Sequence, residues 1–367
     1  VLQATMDGPT THLNIRMSGD PLQYVKMTTG QMDQVAEPYR YRVLVPWLAH
    51  MLPLPPLAAL RLITYLCLFL SYLIGLATCR RLGLSLPTAT VGLFATFACT
   101  YHLYNYTNPF LTDGAGLLAL FVMVFALLAN AYLPFLLAMC GGLLARENVI
   151  FLAPVWLTTR QWRSASLAMG VAGLVFWLSH HLLALPSSKG LFTYALQSYT
   201  LVMSQYTTLQ RLIGFIFSWG YLWLGLLLGL LLMPRAVFAR VSWATLLLLL
   251  GGIIACLFAN YIQRMFSILA PIMVIACAYW AHALARRHGA LLVVFVGIAA
   301  LQVVFGIPTH IAPWAFTFPY ISHGIQIIGM LFLLCAAYLL RQELITACRE
   351  KWGTRSSLPE TVDLSPR

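Results

Sequence analysis

The chain has 367 residues, 60% of them hydrophobic and 9% charged, against about 45–50% and roughly 25% in ordinary soluble domains. So few charges cannot coat a water-soluble globule, and disordered chains are the reverse, polar and charge-rich. The net charge of +12 comes from 22 basic residues scattered between apolar runs, not gathered into the stripe a nucleic-acid-binding protein needs.

The stretch ahead of residue 43 is hydrophilic, and an apolar piece at 43–54 is broken by Pro46, Pro53, Pro55 and Pro56. That piece is expected to lie along a membrane interface. A helix needs about 20 mostly apolar residues to cross the hydrocarbon core. Nine runs meet the requirement: 57–79, 87–104, 114–131, 166–186, 211–233, 241–259, 265–285, 289–306 and 322–340. Between them, 133–145 and 148–159 are shorter and are interrupted by Arg146 and Glu147, which suits a re-entrant pair of half-helices. The predicted fold is an all-α polytopic transmembrane helix bundle of about eleven hydrophobic helices. It divides into an outer-face loop with an interfacial helix (1–56), the bundle (57–340) and a tail (341–367) whose short helix leads to a disordered end. A hydrophilic opening stretch must cross the bilayer somehow, so a further span ahead of Val1 is expected.

Orientation follows from the basic residues, which collect in short cytoplasmic loops. One set of turns holds Arg80, Arg81, Arg160, Arg163, Arg235, Arg240, Arg286 and Arg287 without any Asp or Glu. The tail adds Arg341, Arg349, Lys351, Arg355 and Arg367. This bias places the tail in the cytoplasm and the loops near 105–113, 187–210, 260–264 and 307–321 outside the inner (plasma) membrane. Outside the tail the acids are Asp7, Asp20, Asp33, Glu37, Asp113 and Glu147, and all map to the outer half. Ionisable groups at membrane depth are costly and mark working sites, so any chemistry belongs to the outer face. The eight cysteines fall in spans or tail, read as buried small hydrophobes.

Four outer constellations stand out. Asp20 and Tyr24 precede the run Tyr39-Arg40-Tyr41-Arg42; the two guanidiniums suit an anionic head group, although a Tyr/Arg cluster also serves as a plain interfacial anchor and Gly-Asp-Pro as an ordinary turn. Asp113 begins a span after Asn108-Pro109, where it or Thr112 caps the helix; facing Asp20, it would bind a divalent cation or split the two pKa values. Arg146-Glu147 reads either as an internal salt bridge within a helix hairpin or as an arginine neutralising a lipid phosphate with Glu147 holding it. Arg264 opens an inward-going span on the outer side, where positive charge is disfavoured and an anion is expected to compensate it.

The ordered set GDPLQY, YRYRVLVPWLA, NPFLTD, ARENVIFLAP and QRMFSILAP, over residues 18–275, resembles the GT-C superfamily of membrane glycosyltransferases. That resemblance implies transfer of a sugar from a polyprenyl-phosphate carrier to a glycan, lipid or protein acceptor on the extracytoplasmic face. It makes Asp20 the base, Asp113 the second acid of the site, and Arg146, Arg264 and Arg40 or Arg42 the holders of the carrier phosphate. Tyr24 and Glu147 join them in the substrate-binding set. Metal dependence is left open, no other cofactor is implied, and no nucleic-acid partner is expected. The competing readings are a transporter or lipid flippase with an outer vestibule, and an outer-face polymerase or acyltransferase of envelope glycans. The first is disfavoured because polar residues gather at one face and no internal repeat is seen.

Overall fold

The computed structural model describes residues 20–36, 39–98, 111–183, 218–256, 265–306 and 321–352, with isolated positions between 196 and 216. Among the described residues the chain is helix and turn with no strand. The helices in chain order are α1 (Asp20–Thr28), α2 (Leu44–Met51), α3 (Pro56–Arg81), α4 (Leu86–Phe97), α5 (Asp113–Ala129), α6 (Tyr132–Ala145), α7 (Trp162–Leu182), α8 (Leu222–Leu232), α9 (Arg235–Cys256), α10 (Ala270–Arg287), α11 (Gly289–Gly306), α12 (Ile321–Leu339) and α13 (Arg341–Trp352). A 3-10 helix, Glu147–Thr159, follows α6, and a short one, Ser267–Leu269, runs into α10.

Local chemistry explains the boundaries. Prolines open α3, α4 and α10 in their first turns, where a missing N–H costs nothing. Ser85 caps α4 by accepting from the Thr88 amide at 3.4 Å. Asn130 ends α5 in the left-handed region at φ 53°, a conformation Asn tolerates, and turns the chain back into α6. Inside helices, the hydroxyls of Ser71, Thr78 and Thr96 donate to carbonyls four residues earlier at 2.7, 2.7 and 2.8 Å, so these three buried hydroxyls are satisfied within their own helices.

The core is organised around α10, which is buried on nearly all sides and packs against α3, α4, α5, α8, α9 and α11. Small residues allow that approach. A Cβ on Gly92 would sit 2.6 Å from the Ala278 nitrogen, and one on Gly229 would collide with the Ala276 backbone. Gly229→Leu is therefore expected to force α8 off α10 and cost about 1–3 kcal/mol. The same change at Gly170, where nothing lies within 4 Å, should leave the thermal midpoint of the detergent-solubilised protein unmoved.

Four helices, Pro56–Arg81, Trp162–Leu182, Arg235–Cys256 and Ser267–Arg287, are long and apolar enough to cross a membrane; a fifth candidate is the pair His323–Leu339 and Arg341–Trp352, bent by 74°. Leu62, Leu66, Phe69 and Leu73 form an exposed apolar stripe on α3, as a lipid-facing helix requires. The apolar helices α4, α5, α6 and α8 have only 11–17 residues, so the nine full-length spans expected from the apolar runs are not all realised among the described residues. Two causes are visible: Asn130 stops α5, and a turn at Gly220–Tyr221 divides the 211–233 run.

The ends of the bundle differ in character. At one end Arg240 donates to Leu127 O at 3.3 Å, and Lys351 Nζ donates to Leu230 O at 2.6 Å and to Leu231 O. The lysine thus plugs the open carbonyl end of α8, a favourable place for a cation, and lies 4.5 Å over the Phe238 ring. Arg287 and Glu343 pair at this end. At the other end α1, α2 and the Tyr39–Tyr41 turn form a cap whose Tyr24, Val25, Val45 and Ala49 share a small core with Leu60, Ile63, Leu111 and Ala145. On α2, Trp47 and Met51 are exposed.

Candidate functional site

The cap end carries a concentration of ionisable groups. Asp113 lies in the first turn of α5, where the helix dipole favours an anion. Its Oδ1 pairs with Arg146 Nη1, each side chain being 6% exposed. Gly116, one turn along, leaves the space: a Cβ there would stand 3.0 Å from Arg146 Cβ.

Arg146 does not pair with Glu147. Its backbone is extended, φ −160° and ψ 126°, and adjacent side chains of an extended segment point to opposite sides. Glu147 accordingly turns to Arg42, whose Nε donates to both carboxylate oxygens at 3.0 Å. This corrects the expectation of a local Arg146–Glu147 bridge: two ion pairs each join separate elements. It also corrects the picture of Glu147 holding Arg146 for a phosphate, since Asp113 holds it.

From Arg42 the network continues into the cap. Arg42 Nη1 donates to Tyr24 Oη at 3.0 Å, and Thr112 Oγ1 donates to the same phenol oxygen at 3.3 Å. Thr112 occupies the position before α5 without making a side-chain capping bond, so the capping expected of it is replaced by this contact. Tyr39 stands edge-on to Tyr24 with centroids 5.8 Å apart, beneath the Arg42 guanidinium. Its hydroxyl donates to Asp20 Oδ1 at 2.6 Å. Asp20 is thus linked through Tyr39 and Tyr24 to Thr112, whose chain neighbour is Asp113.

Arg40 faces inward at 4% exposure. Its Nη2 donates to Met32 O, and its Nε and Nη1 have no hydrogen-bond partner. Arg264 lies outside the described residues. A small cavity beside the Asp113–Arg146 pair is lined by Gly116, Leu117, Leu120, Asn148, Ser267 and Ile268. Among the described residues no three His, Cys, Asp or Glu side chains gather to hold a metal ion.

The electrostatics follow from these contacts. Burial raises Tyr39 well above the ordinary phenol value, and the Asp20 hydrogen bond and charge raise it further, so it stays a donor to the carboxylate. Burial would raise Glu147 too, but the Arg42 charge and hydrogen bonds, with Arg146 behind, hold its carboxyl below the usual glutamate value. A carboxyl lowered by folding stabilises the fold above its unfolded pKa, here 4.5, and that contribution is lost as pH falls through the lower folded value. The thermal midpoint is expected to be level from pH 8 to 5 as far as this group is concerned and to fall below about pH 4.5. Arg42→Met should shrink the Glu147 part of that fall, a difference that parallel melts of the two proteins measure.

The sequence singles out Asp20, Asp113, Arg40, Arg42, Arg146 and Glu147 by charge, offers Tyr39 and Thr112 only as anchor and cap, and gives no signal for Asn148 and Ser267, yet these four orient the charged groups or line the cavity. His180 belongs here too: its ring stacks on Tyr41 at 4.0 Å, and Nδ1 lies 2.8 Å from Phe176 O. A carbonyl only accepts, so Nδ1 carries the proton and, in the neutral ring, Nε2 the lone pair. Comparison with family models, with curated proteins and with solved structures gives no match to this chain.

Proposed function

We propose that this chain is a membrane glycosyltransferase of GT-C type, moving a sugar from a polyprenyl-phosphate carrier to an acceptor at the cap end of the bundle, on the extracytoplasmic face. The observation that carries this reading is the gathering, at one end of an apolar helical bundle, of the Asp20–Tyr39 and Tyr24–Arg42–Glu147 contacts beside the buried Asp113–Arg146 pair. The fuller set of about eleven hydrophobic helices belongs to the same proposal.

The chemistry asks for two things. The acceptor hydroxyl must lose its proton as its oxygen attacks the anomeric carbon, and Asp20 is the base; the Tyr39 hydrogen bond fixes one of its oxygens. The bond from that carbon to the phosphate oxygen then breaks, and the negative charge on the departing polyprenyl phosphate needs donors. Arg42 and Arg146 are held in place by Glu147 and Asp113, so they are preorganised for an anion that shares them; Arg40 and Arg264 complete the proposed phosphate set. Keeping head group and cap at the bundle end lets the carrier's tail remain among lipid.

The test uses the full chain reconstituted in phosphatidylcholine vesicles with radiolabelled polyprenyl-phosphate sugars and an acceptor-bearing envelope extract. Label is expected to leave the donor for the acceptor fraction, with polyprenyl phosphate released in equal amount. Donor that stays intact across the sugars tried, with well-folded protein, overturns the proposal.

A further inference from the structure

A second buried polar cluster lies across the Phe266–Ile268 turn from the ion pairs and plays no part in them. Gln302 of α11 and Gln326 of α12 are 2% and 8% exposed. With Ser218, Trp219, Tyr221, Leu222 and Ala95 they line a cavity of about 10 Å³, room for a single water-sized group. The turn separates the two sites: Trp219 Nε1 donates to Phe266 O at 2.9 Å on this side, while Ser267 and Ile268 line the cavity beside Arg146.

The hydrogen-bond accounting here is incomplete in a specific way. Ser218 Oγ donates to Phe215 O at 2.7 Å and the Trp219 indole donates to Phe266 O, so these two lining donors are committed to backbone carbonyls. Gln326 Oε1 is left with no hydrogen-bond partner, at a cost of about 1–3 kcal/mol for a buried acceptor. Gly220, at φ +52°, makes room for that amide: a Cβ there would come within 2.7 Å of Gln326 Oε1. The lining carries no charged residue, so an ion would enter at a large desolvation cost. An uncharged O–H meets the requirement, because it donates to Oε1 and its own oxygen accepts.

We propose that this carboxamide pocket binds the hydroxyl group of a neutral ligand. The helices that supply the two glutamines also expose Leu301, Val304, Ile327 and Ile328, so a lipid alcohol reaches the pocket from the apolar surroundings; a soluble sugar presents the same hydroxyl. The site stands apart from the transfer reaction, and its test does not depend on turnover.

The full chain in phosphatidylcholine nanodiscs is titrated with 1-dodecanol, dodecane or glucose while tryptophan emission is recorded. Dodecanol is expected to give a saturable change that disappears in Trp219→Phe, with dodecane giving none. Gln326→Met, which keeps the volume and removes the acceptor, should weaken dodecanol binding about tenfold. If that variant does not fold, Gly220→Ala, which crowds the amide without removing it, should show the same loss. A response to glucose that also requires Gln326 supports the hydroxyl site and assigns it to a soluble ligand. The proposal is overturned if dodecane acts like dodecanol, if the Gln326 and Gly220 variants bind as wild type, or if no probe alters the Trp219 signal.

Discussion

Arg146→Met is expected to lose about 3–5 kcal/mol of stability, because it removes the guanidinium charge that compensates the buried Asp113 carboxylate. Both side chains are 6% exposed, so water cannot replace the lost charge without opening the cap end. Asp113→Leu should cost a similar amount for the mirror-image reason. The double variant is the informative one: with both charges gone and apolar side chains in their place, most of the loss should be recovered, since a buried pair contributes little net stability against a hydrophobic replacement. Denaturant or thermal unfolding of the three detergent-solubilised proteins measures this directly. A single variant within about 1 kcal/mol of wild type would mean that the pair is hydrated.

Asp20→Asn is expected to reduce transfer by about 10²–10⁴-fold, the usual worth of a positioned general base, while the protein inserts and melts as wild type. The amide keeps an oxygen to accept the Tyr39 hydroxyl, so the local contact at 2.6 Å can persist and the loss reports on proton acceptance. Tyr39→Phe separates positioning from chemistry. It leaves the carboxylate and removes its holder, so the rate should fall less than in Asp20→Asn. An Asp20→Asn protein that turns over normally removes Asp20 from the base role, and unfolded protein would show as a lowered melting midpoint.

Much of the helical layout was legible because apolar runs and their punctuation are local properties. The proline openings at Pro56, Pro87 and Pro271 and the Asn130 stop are written in neighbouring residues, and α6 with the Glu147–Thr159 segment falls on the two short runs. The span count was less legible, since a run such as 211–233 conceals a turn at Gly220 that hydropathy does not register. At the site, residue types and general location were readable from charge, but partners were not. Arg146 and Glu147 are neighbours in sequence, and only the extended backbone at Arg146 sends them to different partners. Tyr39 and Thr112 carry no charge and read from sequence only as interfacial anchor and helix cap; their contacts with Asp20 and Tyr24 are tertiary. Gln302 and Gln326 sit singly in apolar runs, where polarity without charge drew no notice.

The Arg42–Glu147 pair spans 105 positions of the chain. On the ribosome that separation is a delay: at roughly 5–20 residues per second, about 5–20 s pass between the two residues. For that interval the amino-terminal cap has emerged with its guanidinium lacking this counter-charge and its Tyr24 phenol lacking the settled arginine beside it. The cap therefore matures only after the Glu147 segment has been made, well behind its own synthesis, and a nascent chain arrested before Glu147 should keep the cap open to protease where the finished protein resists.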